Sequence, residues 1–258
     1  MPANPHEFFR LDREVGVQDG CFDGALTMAE AEALTNPTWL LHISIPLHIW
    51  TYIHMYILVM ASRKGGAGKT TIAVHLAVEA QRAGAGPVAI IDTDPMQGMT
   101  QWWDARNEAV PVLFKGAVAD LAPELRKQGY RLLVVDTPPS TGEEVALAVK
   151  SASLVLIPVQ PSPNDLRAAG STVGMANALK KPLAFVINRV KPRVRLTVQA
   201  YEALAPHGVI SPLLYDRTDY AAAMNDGLTA PELDSRGPAP GEVSALWSYV
   251  ASRLELTA

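Results

Sequence analysis

The chain of 258 residues contains one cysteine, Cys21, which excludes an internal disulfide, a cysteine-ligated cluster and a Cys-rich zinc site. Charge is sparse as well, at 19% of residues, and the formal balance of -4 gives no global attraction to nucleic acid. Contact with a polyanion therefore has to come from a local basic patch. Between Ala33 and Ser62 there is no Asp, Glu, Lys or Arg, and Trp39 to Met60 is almost continuously apolar, long enough on paper to cross a bilayer. Pro46 and the polar His42, His48 and His54 interrupt that run, and Met55 to Ala61 is needed as a strand. What remains is about fifteen apolar residues, against the ~20 that a spanning helix requires. A secretory signal does not fit either, because acidic residues precede the run and no clear small-residue cleavage site follows it. The histidines lack the i, i+4 spacing of a helical metal pair. Residues 1–54 thus read as an N-terminal extension, whether a dispensable leader, a packed appendage or a membrane-associating stretch, with Met55 or Met60 as a candidate translation start.

Residues 55–258 have a different texture. Short β-rich apolar runs alternate with helical stretches, the pattern of repeated βα units around a sheet. Strands are predicted at Tyr56–Ala61, Val88–Asp92, Arg131–Asp136, Leu154–Val159, Leu183–Asn188 and near Val209. Helices are predicted at Lys69–Ala83, Gly98–Glu108, Gly142–Lys150, Asn164–Leu179, Leu196–Ala205, Tyr220–Gly227 and Glu242–Leu254. Runs such as LLVVD and LVLIPV are apolar on both faces, which fits strands covered by helices on each side. The fold class is therefore α/β, with a mostly parallel, doubly wound sheet, and the Pro- and Gly-rich stretch Pro231 to Gly241 reads as a linker before the last helix.

The segment KGGAGKTT, Lys64 to Thr71, follows the first strand and opens the first helix, where a phosphate-binding loop belongs. Gly65, Gly66 and Gly68, with Ala67 between them, allow backbone N–H groups to turn toward phosphate oxygens, and the helix adds its N-terminal dipole. Lys69 is placed to reach the β and γ phosphates, Thr70 to complete a magnesium shell, and Thr71 to extend the cradle. The ordinary GxxxxGK[ST] form is not kept, since Arg63 and Lys64 stand where its first glycine would be sought. In this respect the loop resembles the deviant Walker A motif KGGxGKT[ST] of the ParA/MinD family of P-loop NTPases. That resemblance implies that Lys64 crosses a two-fold axis to the partner subunit's bound phosphates, a cation arriving only on dimerisation in the manner of an arginine finger.

The resemblance runs from Met55 almost to the end of the chain. VAIIDTDPMQ is similar to the family's switch I motif, although Met96 interrupts the usual Pro-Gln pair and displaces Gln97 by one. LLVVDTPP is similar to its Walker B and switch II region. By that likeness Asp136 holds a magnesium-bound water, Asp92 supports the magnesium shell and Asp94 orients the attacking water, tasks that suit carboxylates because magnesium prefers oxygen ligands. SLVLIPVQPSPNDLRAAG, FVINRV and DRTDYAAAMNDG resemble small ParA-type plasmid partition proteins, and the second of them nominates Asn188 as the reader of adenine.

Lys180, Lys181, Arg189, Lys191, Arg193 and Arg195 form an acid-free basic run that suits phosphate contact without base reading, or else an ordinary solvated loop. The resemblance implies an ATP- and Mg2+-dependent partition ATPase, cytoplasmic and nucleoid-associated when ATP-bound. Its ATP homodimer would bind non-specific DNA, and a ParB-like centromere-binding partner would stimulate hydrolysis to ADP and phosphate. The alternative is a MinD-like membrane-cycling positioning ATPase, which would want a basic amphipathic C-terminal helix. The terminal EVSALWSYVASRLELTA has one Arg against two Glu, so a membrane partner is not expected.

Overall fold

The computed structural model describes residues 54–256. Cys21, His42, His48 and the reading of residues 1–53 as an extension lie outside the described residues. The elements in chain order are β1 (Tyr56–Met60), α1 (Lys69–Arg82), β2 (Val88–Asp92), α2 (Gly98–Ala105), β3 (Val112–Phe114), α3 (Val118–Lys127) and β4 (Leu132–Asp136). Then come α4 (Glu143–Ser151), β5 (Leu154–Val159), α5 (Pro163–Ala178), β6 (Leu183–Ile187), α6 (Arg195–Leu204), β7 (Val209–Ile210), α7 (Thr218–Asn225), α8 (Ala230–Leu233) and α9 (Ala239–Arg253).

Seven strands form one sheet in the order β3-β2-β4-β1-β5-β6-β7, and every pairing in it is parallel. Alternation along each strand sends neighbouring side chains to opposite faces. Ile57 and Val59 thus join a core closed by Ala122 and Leu125 of α3, Val145 and Val149 of α4, Val173 of α5 and Leu204 of α6. Leu58 and Met60 point the other way, against Leu76 and Val78 of α1, Trp102 of α2 and Trp247 of α9. Both faces are dry, which is why these strands read as unbroken apolar runs rather than as alternation.

The chain leaves β1 toward one edge of the sheet, returns to β4 beside it, then crosses to β5 on its other side. The carboxyl end of β1 is therefore a topological switch point, where ligands of open α/β sheets bind. Register brings Met60 level with Asp136, and Asp136 level with Asp92, so three strand ends open into one crevice.

Two elements escape the sequence pattern. β3 is three residues long, half-buried throughout and on the sheet edge, so its apolar Val-Leu-Phe is too short to stand out as a strand. Its helix α3 contains Pro123, a residue that argues against a helix interior. The expected linker from Pro231 is also partly helical. Thr229 and Glu232 form a reciprocal capping box that starts α8 with Pro231 in its first turn, and α9 begins at Ala239.

Candidate functional site

Residues 61–68 run from β1 into α1, and their conformation depends on glycine at one place in particular. Gly68 has φ 99°, and a Cβ there would lie 2.2 Å from Asn188 Nδ2. The loop is braced from two other strand ends. Asn188 Nδ2 donates to the Ala67 carbonyl at 3.0 Å, and Gln160 Nε2 donates to the Gly66 carbonyl at 2.9 Å.

Inside this cradle Lys69 is buried, and desolvation lowers its pKa while Asp136 and Asp94 favour the charged form. Asp136 is fully buried, and desolvation is the main cause that pushes its carboxyl up to about 7, with Thr70 and Lys69 opposing and Asp92 and Asp94 adding to the rise. Its Oδ2 accepts from Thr70 Oγ1 at 2.5 Å, while its Oδ1 is buried without a hydrogen-bond partner. An orphaned carboxylate oxygen beside a hydroxyl is a hard-oxygen pair of the sort magnesium takes, the rest of its shell being phosphate and water. Among the described residues no group of three His, Cys, Asp or Glu side chains forms a metal cage, and magnesium at a phosphate site does not need one.

Asp92 is engaged differently. Its Oδ2 accepts from Thr100 N at 2.9 Å and Thr100 Oγ1 at 3.1 Å, and its Oδ1 from Asp94 N at 3.0 Å. Its visible work is to fix the turn between β2 and α2, and with it Asp94, whose Oδ1 accepts from Met96 N at 3.0 Å. Gln97 takes a left-handed conformation as the N-cap of α2, while Met96 is 77% exposed, so the displaced glutamine serves the helix start and the methionine faces outward.

Lys64 does not float free in the loop. Its ammonium pairs with Asp165, whose side chain is 2% exposed at the start of α5. Ser162 also donates to that carboxylate and caps the helix, accepting from Asp165 N at 3.2 Å, with Pro163 next in sequence. Sequence reasoning passed over Asp165. The available signal was Ser-Pro-x-Asp directly after an apolar strand, a helix start at the carboxyl edge of the sheet.

Beside the loop lies a cavity of about 320 Å³, lined among others by Gly68, Ile72, Asn188, Tyr215, Arg217 and Tyr220. Asn188 spends one amide hydrogen on Ala67 and one acceptor position on Arg189 N at 2.8 Å, which leaves a donor and an acceptor for a base edge. His75, buried at the cavity floor, receives Ala230 N on Nε2 at 2.9 Å, so its proton sits on Nδ1 and is donated to the Thr71 carbonyl at 2.7 Å. Burial pushes its pKa down to about 4.

The basic run is divided. Lys180 and Lys181 precede β6, whereas Arg189, Lys191, Arg193 and Arg195 follow it, about 16 Å away across five residues of strand. Lys181 donates to the Ala152 carbonyl at 3.1 Å, capping the end of α4. Arg189 lines the cavity, and Lys191 reaches to 4.0 Å from Asp216. The groups at the carboxyl end of the sheet, where the glycine-rich loop lies, are thus those after β6.

A glycine-dependent loop at the switch point, with a buried lysine and an orphaned carboxylate, coincides with a match to the family model described as "CobQ/CobB/MinD/ParA nucleotide binding domain" over residues 58–230. The chain belongs to this family. Its members of the ParA/MinD type are P-loop ATPases. Among its relatives is "Maintenance of carboxysome distribution protein A" of Gloeobacter kilaueensis, 32% identical over 77% of this chain and 94% of that protein. "Protein ParA" of Rhizobium radiobacter is 30% identical over 67% of this chain and 84% of that protein. The solved ATP complex of Cyanothece McdA superposes with a TM-score of 0.65 at 21% identity, covering 80% of this chain and 98% of that chain, and confirms the ParA/MinD fold.

Proposed function

We propose that this protein is an ATP-driven DNA partition ATPase whose nucleotide-bound homodimer holds non-specific DNA and lets go when a ParB-like centromere-binding partner stimulates hydrolysis to ADP and phosphate. The observation that carries the nucleotide part of this reading is the buried, unpartnered Oδ1 of Asp136 beside Thr70 and Lys69, and the partition part is supported by relatives such as ParA of Rhizobium radiobacter. Thr70 and Asp136 would hold magnesium, with Asp92 fixing the neighbouring turn, and the bound ion would neutralise charge on the β and γ phosphates. Lys69 and the amides of residues 65–71 cradle the phosphates, and Asp94 orients the attacking water from the half-exposed turn after β2.

Lys64 supplies the step that needs two subunits. To reach the partner's phosphates it must leave Asp165, so the cation arrives only when the polyanion across the interface offers more than the carboxylate at home. Dimerisation would also double the basic group formed by Arg189, Lys191, Arg193 and Arg195, making DNA retention depend on ATP through effective concentration.

A second reading keeps the cycle and changes the cargo to a protein compartment, favoured by relatives named for carboxysome distribution. The membrane-cycling alternative has less support, because Leu246, Trp247 and Val250 of α9 are buried against the sheet and α1. No helix among the described residues is long and apolar enough to cross a membrane.

Retention of unrelated duplex DNA should be salt-sensitive and appear with ATP but neither with ADP nor without nucleotide. Replacing Arg193 and Arg195 together by Glu should weaken it about tenfold or more, and replacing Lys180 and Lys181 less than about twofold. Flotation with liposomes in the absence of any DNA retention would sink the proposal in favour of the membrane-cycling reading.

A further inference from the structure

The outer wall of the cavity beside the phosphate loop is the segment from Tyr215 to Tyr220, which leaves the sheet after β7 and enters α7. On its sheet side it is held by backbone bonding to Val190, Asp216 N donating to the Val190 carbonyl at 2.9 Å. Its other side is gathered by a single carboxylate from the far end of the sequence. Glu242, in the first turn of α9, accepts from Tyr215 N at 3.1 Å, Arg217 Nε at 2.7 Å and the Tyr220 hydroxyl at 3.0 Å, and it also pairs with Arg217 Nη2. Its side chain is 12% exposed.

An acid in the first turn of a helix ordinarily lies in solvent and serves only the helix dipole. Glu242 is engaged otherwise. Its two oxygens take four donors from three residues, and all three line the same cavity. Arg217 is held with its guanidinium carbon 5.5 Å from the centre of the Tyr215 ring, and the Tyr220 ring meets His75 edge-on with centroids 5.1 Å apart. Loss of the carboxylate would free the peptide N–H of Tyr215, unpair a partly buried guanidinium and release the Tyr220 hydroxyl at once. The neighbouring Val243 and Leu246 also line the cavity, so the last helix both forms this wall and fixes its shape.

We propose that Glu242 is a positioning residue for the nucleobase, setting Tyr215, Arg217 and Tyr220 as the surface against which the base is held. The inference rests on the nucleotide reading of the site and adds to it a determinant that makes no contact with phosphate. It separates affinity for the base from affinity for the phosphates, and that separation is measurable.

Calorimetry on the full chain with magnesium and either ATP or inorganic tripolyphosphate tests it. Glu242→Gln should bind ATP about tenfold more weakly and tripolyphosphate within about twofold of the unmodified protein. Tyr220→Phe, which removes one of the four bonds and keeps the ring, should weaken ATP about threefold. Equal ATP affinity in folded Glu242→Gln overturns the proposal, as does parallel loss of both ligands, since that would mark a merely structural residue. Should Glu242→Gln fail to fold, an unaltered ATP affinity in Tyr220→Phe overturns it instead. Unmodified protein that binds tripolyphosphate as tightly as ATP would overturn the base reading of the cavity itself, whereas a preference for ATP that survives in Glu242→Gln removes only the role given to Glu242.

Discussion

On the proposed nucleotide reading, the phosphate half of the site is one contiguous run, Lys64 to Thr71, while the base half is assembled from Asn188, Tyr215, Arg217, Tyr220 and Glu242, supplied by a strand end, a loop and two helices. The contrast follows from what each half must recognise. A triphosphate is met by many backbone amides pointing one way, and consecutive residues in a tight loop deliver them. A base is a flat, largely apolar body with a few polar edges, so its walls come from wherever the fold brings bulky side chains together.

The largest effect should come from the phosphate half. Lys69→Ala removes the buried ammonium beside Asp136 and is expected to lower ATP affinity by about 100-fold or more, read by calorimetry with magnesium. Lys64→Ala should change ATP affinity less than about threefold while abolishing the ATP-dependent dimer in sedimentation and the partner-stimulated turnover. A Lys64→Ala protein that still dimerises with ATP would show that the cation assigned to the interface works elsewhere.

A smaller effect is expected where the halves meet. His75 stands on α1, donates to Thr71 of the phosphate loop and receives Ala230 from the segment behind the base wall. Its pKa, pushed down from 6.5 to about 4, means that between those values the unfolded chain takes up a proton that the fold refuses. Its contribution is present above pH 6.5 and is lost as pH falls toward 4, a change on the order of 3 kcal/mol. Asp136 acts in the opposite sense without magnesium, because its raised pKa makes the folded state bind the extra proton as pH falls below about 7. Comparing the unmodified protein with His75→Gln isolates the histidine: denaturant unfolding should bring the two closer in stability at pH 5 than at pH 7. An unchanged gap would mean that the fold lets His75 take up a proton as readily as the unfolded chain does, and that burial does not hold it neutral.

The same contrast governs what could be read before the fold was known. The strand ends carrying Asp92 and Asp136, and the loop between Lys64 and Thr71, were legible because each is a motif set in a run of unmistakable periodicity. β3 and α3 were not, since three apolar residues on an edge are too few to stand out and Pro123 imitates a helix stop. Asp165, His75 and Glu242 were invisible for another reason: each acts on residues far away in sequence, as in the separation of 101 positions between Lys64 and Asp165. The basic run misled in the reverse direction. Adjacency from Lys180 to Arg195 suggested one patch, and the strand threaded through it sends its members to opposite ends of the sheet. Residues 1–53 stand outside the described structure, and their reading as an extension is to be tested by truncation to Met55.

The pairing of Lys64 with Asp165 also governs how the subunit looks to ions in solution. An ammonium already satisfied by a dehydrated carboxylate of its own chain presents little net field, and added salt weakens such a contact far less than it weakens an open surface pair. If Lys64 acts across a dimer as proposed, its charge is muted in the lone chain and becomes audible only to a counterpart carrying a nucleotide.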